Sequence, residues 1–197
     1  MSDSDSEQVV VPGARDVRAT LDAPDADACV VACPPHPQMG GRRTDGRLTA
    51  VSASLAPDVA CLRFDYGPWD EGRGERTDAT NALAWAGERF DRVGLFGFSF
   101  GGGVALLAAA ETTPACVSAL APASRLGDLD AAAALDDVDC PVQVVYGERD
   151  TTAEWEPVVS RARELGHRVE AMPADHFFVG QTGKVGERVA AFLREHR

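Results

Sequence analysis

The segment Gly97-Phe98-Ser99-Phe100-Gly101 follows directly on the apolar run Val93-Gly94-Leu95-Phe96 and leads into a glycine- and alanine-rich stretch. A serine between a strand and a helix, with glycine two residues to either side, fits a strained turn that lifts the hydroxyl clear of the chain. Only residues without bulk fit beside such a turn, which accounts for the paired glycines. A serine hydroxyl attacks poorly until a base takes its proton. Ser99 therefore demands a histidine, and the histidine an acid to hold its tautomer. The chemistry such a set performs is attack on an acyl carbon.

Four histidines are available: His36, His167, His176 and His196. His176 stands in Ala174-Asp175-His176-Phe177-Phe178, just past a strand ending at Met172, whereas His167 opens that strand at the opposite rim and His196 is near the C-terminus. Asp150 closes Gly147-Glu148-Arg149-Asp150, just past an apolar run over 142–146. The order serine, acid, histidine suits a strand–turn–helix nucleophile. Glu148 and Asp175 are alternatives for the acid, although Asp175 adjoins the histidine and reaches its Nδ1 poorly. Attack on a carbonyl also needs two backbone donors for the oxyanion. One is the amide of Phe100. The other must come from Cys33-Pro34-Pro35-His36-Pro37-Gln38-Met39-Gly40-Gly41, and prolines have no N–H, so the His36 amide is the leading donor. The His36 imidazole is read equally as a surface side chain or a substrate contact.

The elements that must position these residues alternate along the chain. A hairpin over 8–12 and 17–21 is followed by an almost wholly apolar strand over 28–33, as expected of a strand buried on both faces. A helix over 45–55 and a strand over 59–64 come next. Ala79, Leu83, Ala86 and Phe90 recur at helical spacing and predict a helix over 75–90. Beyond the strand 93–97 lie a helix over 103–111, strands over 116–120 and 142–146, a helix over 153–165, a strand over 167–172 and a helix over 183–194. Strands separated by helices predict an α/β chain with a mostly parallel central sheet and helices on both faces, and such sheets keep their sites at the strands' carboxyl ends. Ser99, Asp150 and His176 all fall on that rim.

At 197 residues the chain suits one domain, expected over 8–197, with an acidic, serine-rich tail over 1–7 read as disordered. That tail has no basic segment leading into an apolar stretch, and no apolar run spans a bilayer, so a soluble cytoplasmic protein without membrane contact is expected. Five cysteines (Cys29, Cys33, Cys61, Cys116 and Cys140) form no C-x-x-C pair and read as small core residues, so neither a metal nor a cofactor is expected. The net charge of −12 argues against nucleic acid. Only Lys184 is a lysine, a composition that resembles proteins of salt-loving archaea; a GC-rich genome is the other explanation. No feature bears on the oligomeric state.

The sequence is similar to the α/β-hydrolase superfamily, and within it resembles the small, cap-less dienelactone-hydrolase-like branch. The likeness runs from about Val9 onward and rests on Pro35-His36-Pro37 with Gly40-Gly41, Arg63-Phe64-Asp65-Tyr66, Gly72-Arg73-Gly74-Glu75, Gly97-Phe98-Ser99-Phe100-Gly101, Tyr146-Gly147-Glu148-Arg149-Asp150 and Asp175-His176-Phe177-Phe178. Relatives tend to carry His-Pro-His-Pro in the oxyanion loop, where Pro34 replaces the first histidine here. Dienelactone hydrolases proper use cysteine, so Ser99 implies ester or thioester cleavage more generally. The short connection between Leu120 and Val142 implies no cap domain and a shallow, open site. Met39, Trp69, Phe98, Phe100, Phe177 and Phe178 are candidates for an apolar wall around a small acyl substrate. The expected function is a serine hydrolase, with an acyltransferase on the same residues, or a non-catalytic ligand-binding member of the fold, as alternatives.

Overall fold

The computed structural model describes residues 6–196. Its elements run β1 (Ser6–Val11), β2 (Val17–Asp22), β3 (Ala28–Cys33), α1 (Gly46–Leu55), β4 (Ala60–Phe64), α2 (Arg73–Gly87), β5 (Arg92–Phe98), α3 (Phe100–Glu111), β6 (Val117–Leu120), β7 (Arg125–Leu126), β8 (Leu129–Asp130), α4 (Ala131–Ala134), β9 (Val142–Gly147), α5 (Glu156–Glu164), β10 (Arg168–Met172) and α6 (Thr182–Glu195). Eight strands form one sheet in the order β1-β2-β4-β3-β5-β6-β9-β10. Pairs β1–β2 and β2–β4 are antiparallel, and all pairs from β4–β3 to β9–β10 are parallel.

Helices cover both faces because the central strands are apolar on both. Every residue of β3, β4 and β6 is buried. On one face α1 and α6 pack Leu48, Val51, Leu55, Val185, Val189 and Phe192 against Val30, Cys61 and Phe96. On the other, α2 to α5 pack Ala79, Trp85, Leu106, Val158 and Val159 against Val31, Leu62 and Leu95. Helix α3 is buried from Phe100 to Ala109, as an all-apolar helix must be. Four of the five cysteines are buried and all five are free.

The N-terminal expectation needs correction. Ser6 and Glu7 belong to β1 rather than to a tail: they pair with Asp22 and Leu21, and the Ser6 hydroxyl donates to Asp22 Oδ1 at 2.7 Å. Residues 1–5 of that segment lie outside the described residues. Where a cap would be inserted, the chain makes only the β7–β8 hairpin, the one-turn α4 and a 3-10 turn over Leu135–Asp137. Among the described residues no lid crosses the carboxyl rim of the sheet. Among the described residues no helix is long and apolar enough to cross a membrane.

Candidate active site

Strand β5 delivers Ser99 to the rim, and α3 begins on the next residue. Ser99 adopts φ 58° and ψ −119°, a left-handed turn that a side chain rarely tolerates. The surroundings impose it. The Ser99 amide donates to the Leu120 carbonyl at 2.8 Å, and the Ser99 carbonyl accepts from Gly102 at 2.9 Å and Ala123 at 3.0 Å. A Cβ on Gly97 would strike the Gly101 carbonyl, and one on Gly101 would strike the carbonyls of Cys33 and Pro34. Both glycines are therefore required by close backbone approach.

Asp150 and His176 arrive on two loops that are stitched together. The Glu148 amide donates to the Met172 carbonyl at 2.9 Å and the Arg149 amide to the Ala174 carbonyl at 3.0 Å, so the segments following β9 and β10 are tied to each other. His176 Nε2 lies 2.9 Å from Ser99 Oγ, and His176 Nδ1 lies 2.7 Å from Asp150 Oδ2. The other carboxylate oxygen, Oδ1, accepts the amides of Thr152 at 2.8 Å and Ala153 at 3.1 Å. The Trp155 indole donates to the Asp150 carbonyl at 3.2 Å and stacks on Tyr146. Asp150 and His176 are buried, and their mutual hydrogen bond is shielded from water. Of the alternative acids, Glu148 is exposed and Asp175 accepts the Val179 amide instead. Neither contacts the imidazole.

Residues 34–41 wrap over the opposite side of Ser99. The His36 carbonyl accepts the amides of Met39 and Gly41, each at 3.0 Å, closing a tight turn. Among the described residues the His36 amide has no acceptor, and the Phe100 amide, as the first of α3, has none within its helix. The His36 ring is sandwiched against Trp69 at 4.6 Å and Phe100 at 4.9 Å. Burial there lowers the imidazole below its ordinary pKa, against the opposing charge of Glu75.

Ser99, His176, His36 and Phe100 line a cleft of about 500 Å³, together with Met39, Trp69, Phe98 and Phe177. Met39, Trp69 and Phe177 are exposed at its mouth, while Phe98 is almost wholly buried and forms part of the floor. Phe178 differs from expectation: it is fully buried and packs with α6 in the core. The alternation of buried and exposed residues past β10 turns Phe177 and Phe178 in opposite directions. Arg47, which belongs to no motif, also lines the cleft; its guanidinium lies 4.4 Å from the Phe98 ring and pairs with Asp45 at 2.6 Å. A larger hollow of about 640 Å³ lies at the other end of the sheet among Phe90, Asp91, Thr113 and Pro114, with no histidine, serine or cysteine in its lining. The contacts among Ser99, His176 and Asp150, not size, mark the candidate site.

Residues 67–192 match the model of the Dienelactone hydrolase family. In structure the chain is similar to an alpha-beta serine hydrolase homologue from Coxiella burnetii, with a TM-score of 0.83, 23% identity and 98% of each chain covered. It is also similar to a serine hydrolase without lid from Xanthomonas campestris, with a TM-score of 0.81 and 22% identity over 99% of this chain and 96% of that one. An esterase from Pyrococcus furiosus superposes with a TM-score of 0.83 and 17% identity, covering 97% of this chain and 91% of that one. No curated protein matches the chain.

Proposed function

Because the chain belongs to the dienelactone hydrolase family, a family of hydrolases, we propose that it cleaves small acyl esters or thioesters through an acyl-enzyme on Ser99. One observation carries this reading: the unbroken run of hydrogen bonds from Ser99 Oγ through His176 to Asp150, at 2.9 and 2.7 Å. In the first step Ser99 Oγ bonds to the substrate carbonyl carbon as His176 Nε2 takes the hydroxyl proton. The carbonyl electron pair moves to oxygen, where the amides of His36 and Phe100 stabilise the charge. The oxyanion then collapses, and the proton on His176 passes to the departing alcohol or thiol. Water repeats the sequence on the acyl-enzyme, again with His176 as base, and releases the acid. Asp150 keeps Nδ1–H directed at itself and stabilises the imidazolium formed in each half.

The lidless cleft favours small acyl groups. With about 500 Å³ and an open mouth, it encloses a short chain and leaves a long one in water. The test is labelling with a fluorophosphonate, which phosphonylates an activated serine, followed by a series of p-nitrophenyl esters. Wild type is expected to label and to prefer acetate or butyrate esters over decanoate, and Ser99→Ala to lose both labelling and turnover. Undiminished labelling of Ser99→Ala refutes the reading; preference for the long ester refutes the substrate size.

A further inference from the structure

The segment Arg63 to Tyr66, at the end of β4 and just beyond it, grips the loop over 34–43 at both ends. At the far end Arg63 Nη1 donates to the Arg43 carbonyl at 2.7 Å, and the Arg43 amide donates to Asp65 Oδ1 at 2.8 Å. The Arg43 guanidinium also pairs with Asp65 Oδ2. At the near end the Tyr66 hydroxyl donates to the Pro34 carbonyl at 3.1 Å. The Tyr66 ring meets Phe100 edge-on, with centroids 5.8 Å apart and planes at 82°. Burial pushes the phenol well above its ordinary pKa, so it stays protonated and able to donate.

Between these grips lies the His36 amide. Pro34, Pro35 and Pro37 supply no N–H to brace the loop. Two carbonyls bracket the amide: that of Pro34, bound from outside the loop by Tyr66, and that of His36, bound within the loop by Met39 and Gly41. The same tyrosine thus contacts the loop that carries one oxyanion donor and the ring of the residue that carries the other. We propose that Tyr66 is a positioning residue: its hydroxyl on Pro34 and its ring edge on Phe100 fix the spacing of the His36 and Phe100 amides. The inference rests on the serine-hydrolase reading above and adds to it the group that sets the oxyanion geometry.

Tyr66→Phe removes one oxygen and keeps the ring. Removing an oxyanion donor outright costs about 10²–10³-fold in turnover, so a donor retained but loosened is expected to cost about tenfold. Acylation and deacylation pass through the same oxyanion, so both must slow by the same factor. Equal losses in the two steps leave KM unchanged. The experiment is stopped-flow hydrolysis of p-nitrophenyl acetate by wild type and Tyr66→Phe, with the Ki of a trifluoromethyl ketone measured on both. That inhibitor adds to Ser99 Oγ, passes the serine proton to His176 and leaves an oxyanion in the same place. The expected result is a burst rate, a steady rate and inhibitor affinity all weakened about tenfold, with KM within twofold of wild type. A merely structural tyrosine would lower the thermal midpoint and leave all three unchanged, which overturns the proposal. If Tyr66→Phe melts below the assay temperature, the same three measurements are made on both proteins at a lower temperature where the variant is folded, and unchanged kinetics there overturn the proposal equally. Loss of activity in Ser99→Ala, measured alongside, keeps a failure of the clamp distinct from a failure of the serine mechanism.

Discussion

At Ser99 the backbone stores strain of about 1–3 kcal/mol in a left-handed turn, and the bonds to Leu120, Gly102 and Ala123 hold it there. That strain directs the hydroxyl at His176 rather than into α3. Asp150 is fixed as firmly, since its Oδ1 already accepts two amides and only Oδ2 is left to face the imidazole. An amide at that position would present its NH₂ or a neutral oxygen to Nδ1 and favour the wrong tautomer. Asp150→Asn is therefore expected to cut turnover by about 10³–10⁴-fold while leaving the thermal midpoint near wild type. Steady-state rates for Asp150→Asn, Glu148→Gln and Asp175→Asn decide the matter; a larger loss in either of the latter two reassigns the acid. The positions of Ser99, Asp150 and His176 were legible because each follows a recognisable strand at one rim of a parallel sheet. Phe178 is a wall candidate by sequence alongside Phe177, and it packs in the core, because adjacent aromatic residues carry no sequence mark of which one turns inward. Tyr66 stands in plain view in Arg63-Phe64-Asp65-Tyr66, and its signal is the need of a half-buried tyrosine for a hydrogen-bond partner.

The parallel core of the sheet could be read from β3, β4 and β6 because strands buried on both faces show as unbroken apolar runs. Boundaries slipped where other forces end an element. Helix α2 closes at Gly87 instead of 90, and α5 opens at Glu156 instead of 153 because residues 151–155 fold back to cap Asp150. The β7–β8 hairpin and the turn over Pro37–Met39 are too short to leave any periodicity. The antiparallel edge conceals a further feature with no periodic signature, the pairing of Asp22 on β2 with Arg63 on β4. Arg63 grips both oxygens of Asp22, at 2.7 and 3.1 Å, and Ser6 and Ser52 donate to the same carboxylate. Burial raises the Asp22 carboxyl, but the bonds from Arg63, Ser52 and Ser6 outweigh it and hold the pKa below its ordinary value. Ionised Asp22 therefore favours the fold. Its contribution is complete above the unfolded pKa of about 3.9 and is lost as pH falls through the lower folded value. Asp78 works in the reverse sense, since burial raises its carboxyl and protonation relieves it. Asp22→Asn leaves the Arg63 guanidinium buried without a counter-charge and is expected to cost about 3 kcal/mol at pH 7. Urea melts from pH 6 to pH 2 should show wild type losing that advantage below about pH 4, with the variant flatter across the same range. Parallel curves would remove Asp22 as the source of acid sensitivity.

At the scale of the whole molecule, 31 acidic residues face 19 basic ones, and the imbalance is spread over a surface with a single lysine. The ion pairs among exposed side chains, such as Arg73 with Asp128 at 2.6 Å and Arg125 with Asp130 at 3.0 Å, each contribute little in water. They do not offset the excess. At the amino ends of the parallel strands Asp25, Asp27, Asp58 and Asp91 surround one hollow, with Arg92 as the cation in its lining. Like charges gathered this way oppose the compact state, and the opposition reaches as far as screening permits: about 30 Å at 0.01 M salt and about 3 Å at 1 M. Salt weakens the exposed pairs as well, but those are local and small, whereas the repulsion sums over the net charge. The thermal midpoint is therefore expected to rise steadily from 0.01 M to molar potassium chloride. Asp27→Asn should raise it at low salt and make no difference at high salt. Ester hydrolysis should follow the same rise wherever the assay temperature approaches the low-salt midpoint, because the folded fraction then sets the rate. Melts of wild type and Asp27→Asn at 0.01, 0.15 and 1 M salt distinguish this from an ordinary acidic protein, in which the midpoint barely moves. A midpoint that falls with salt would show that the ion pairs, not the excess charge, govern stability, and it would leave the assignment of Ser99, His176 and Asp150 untouched.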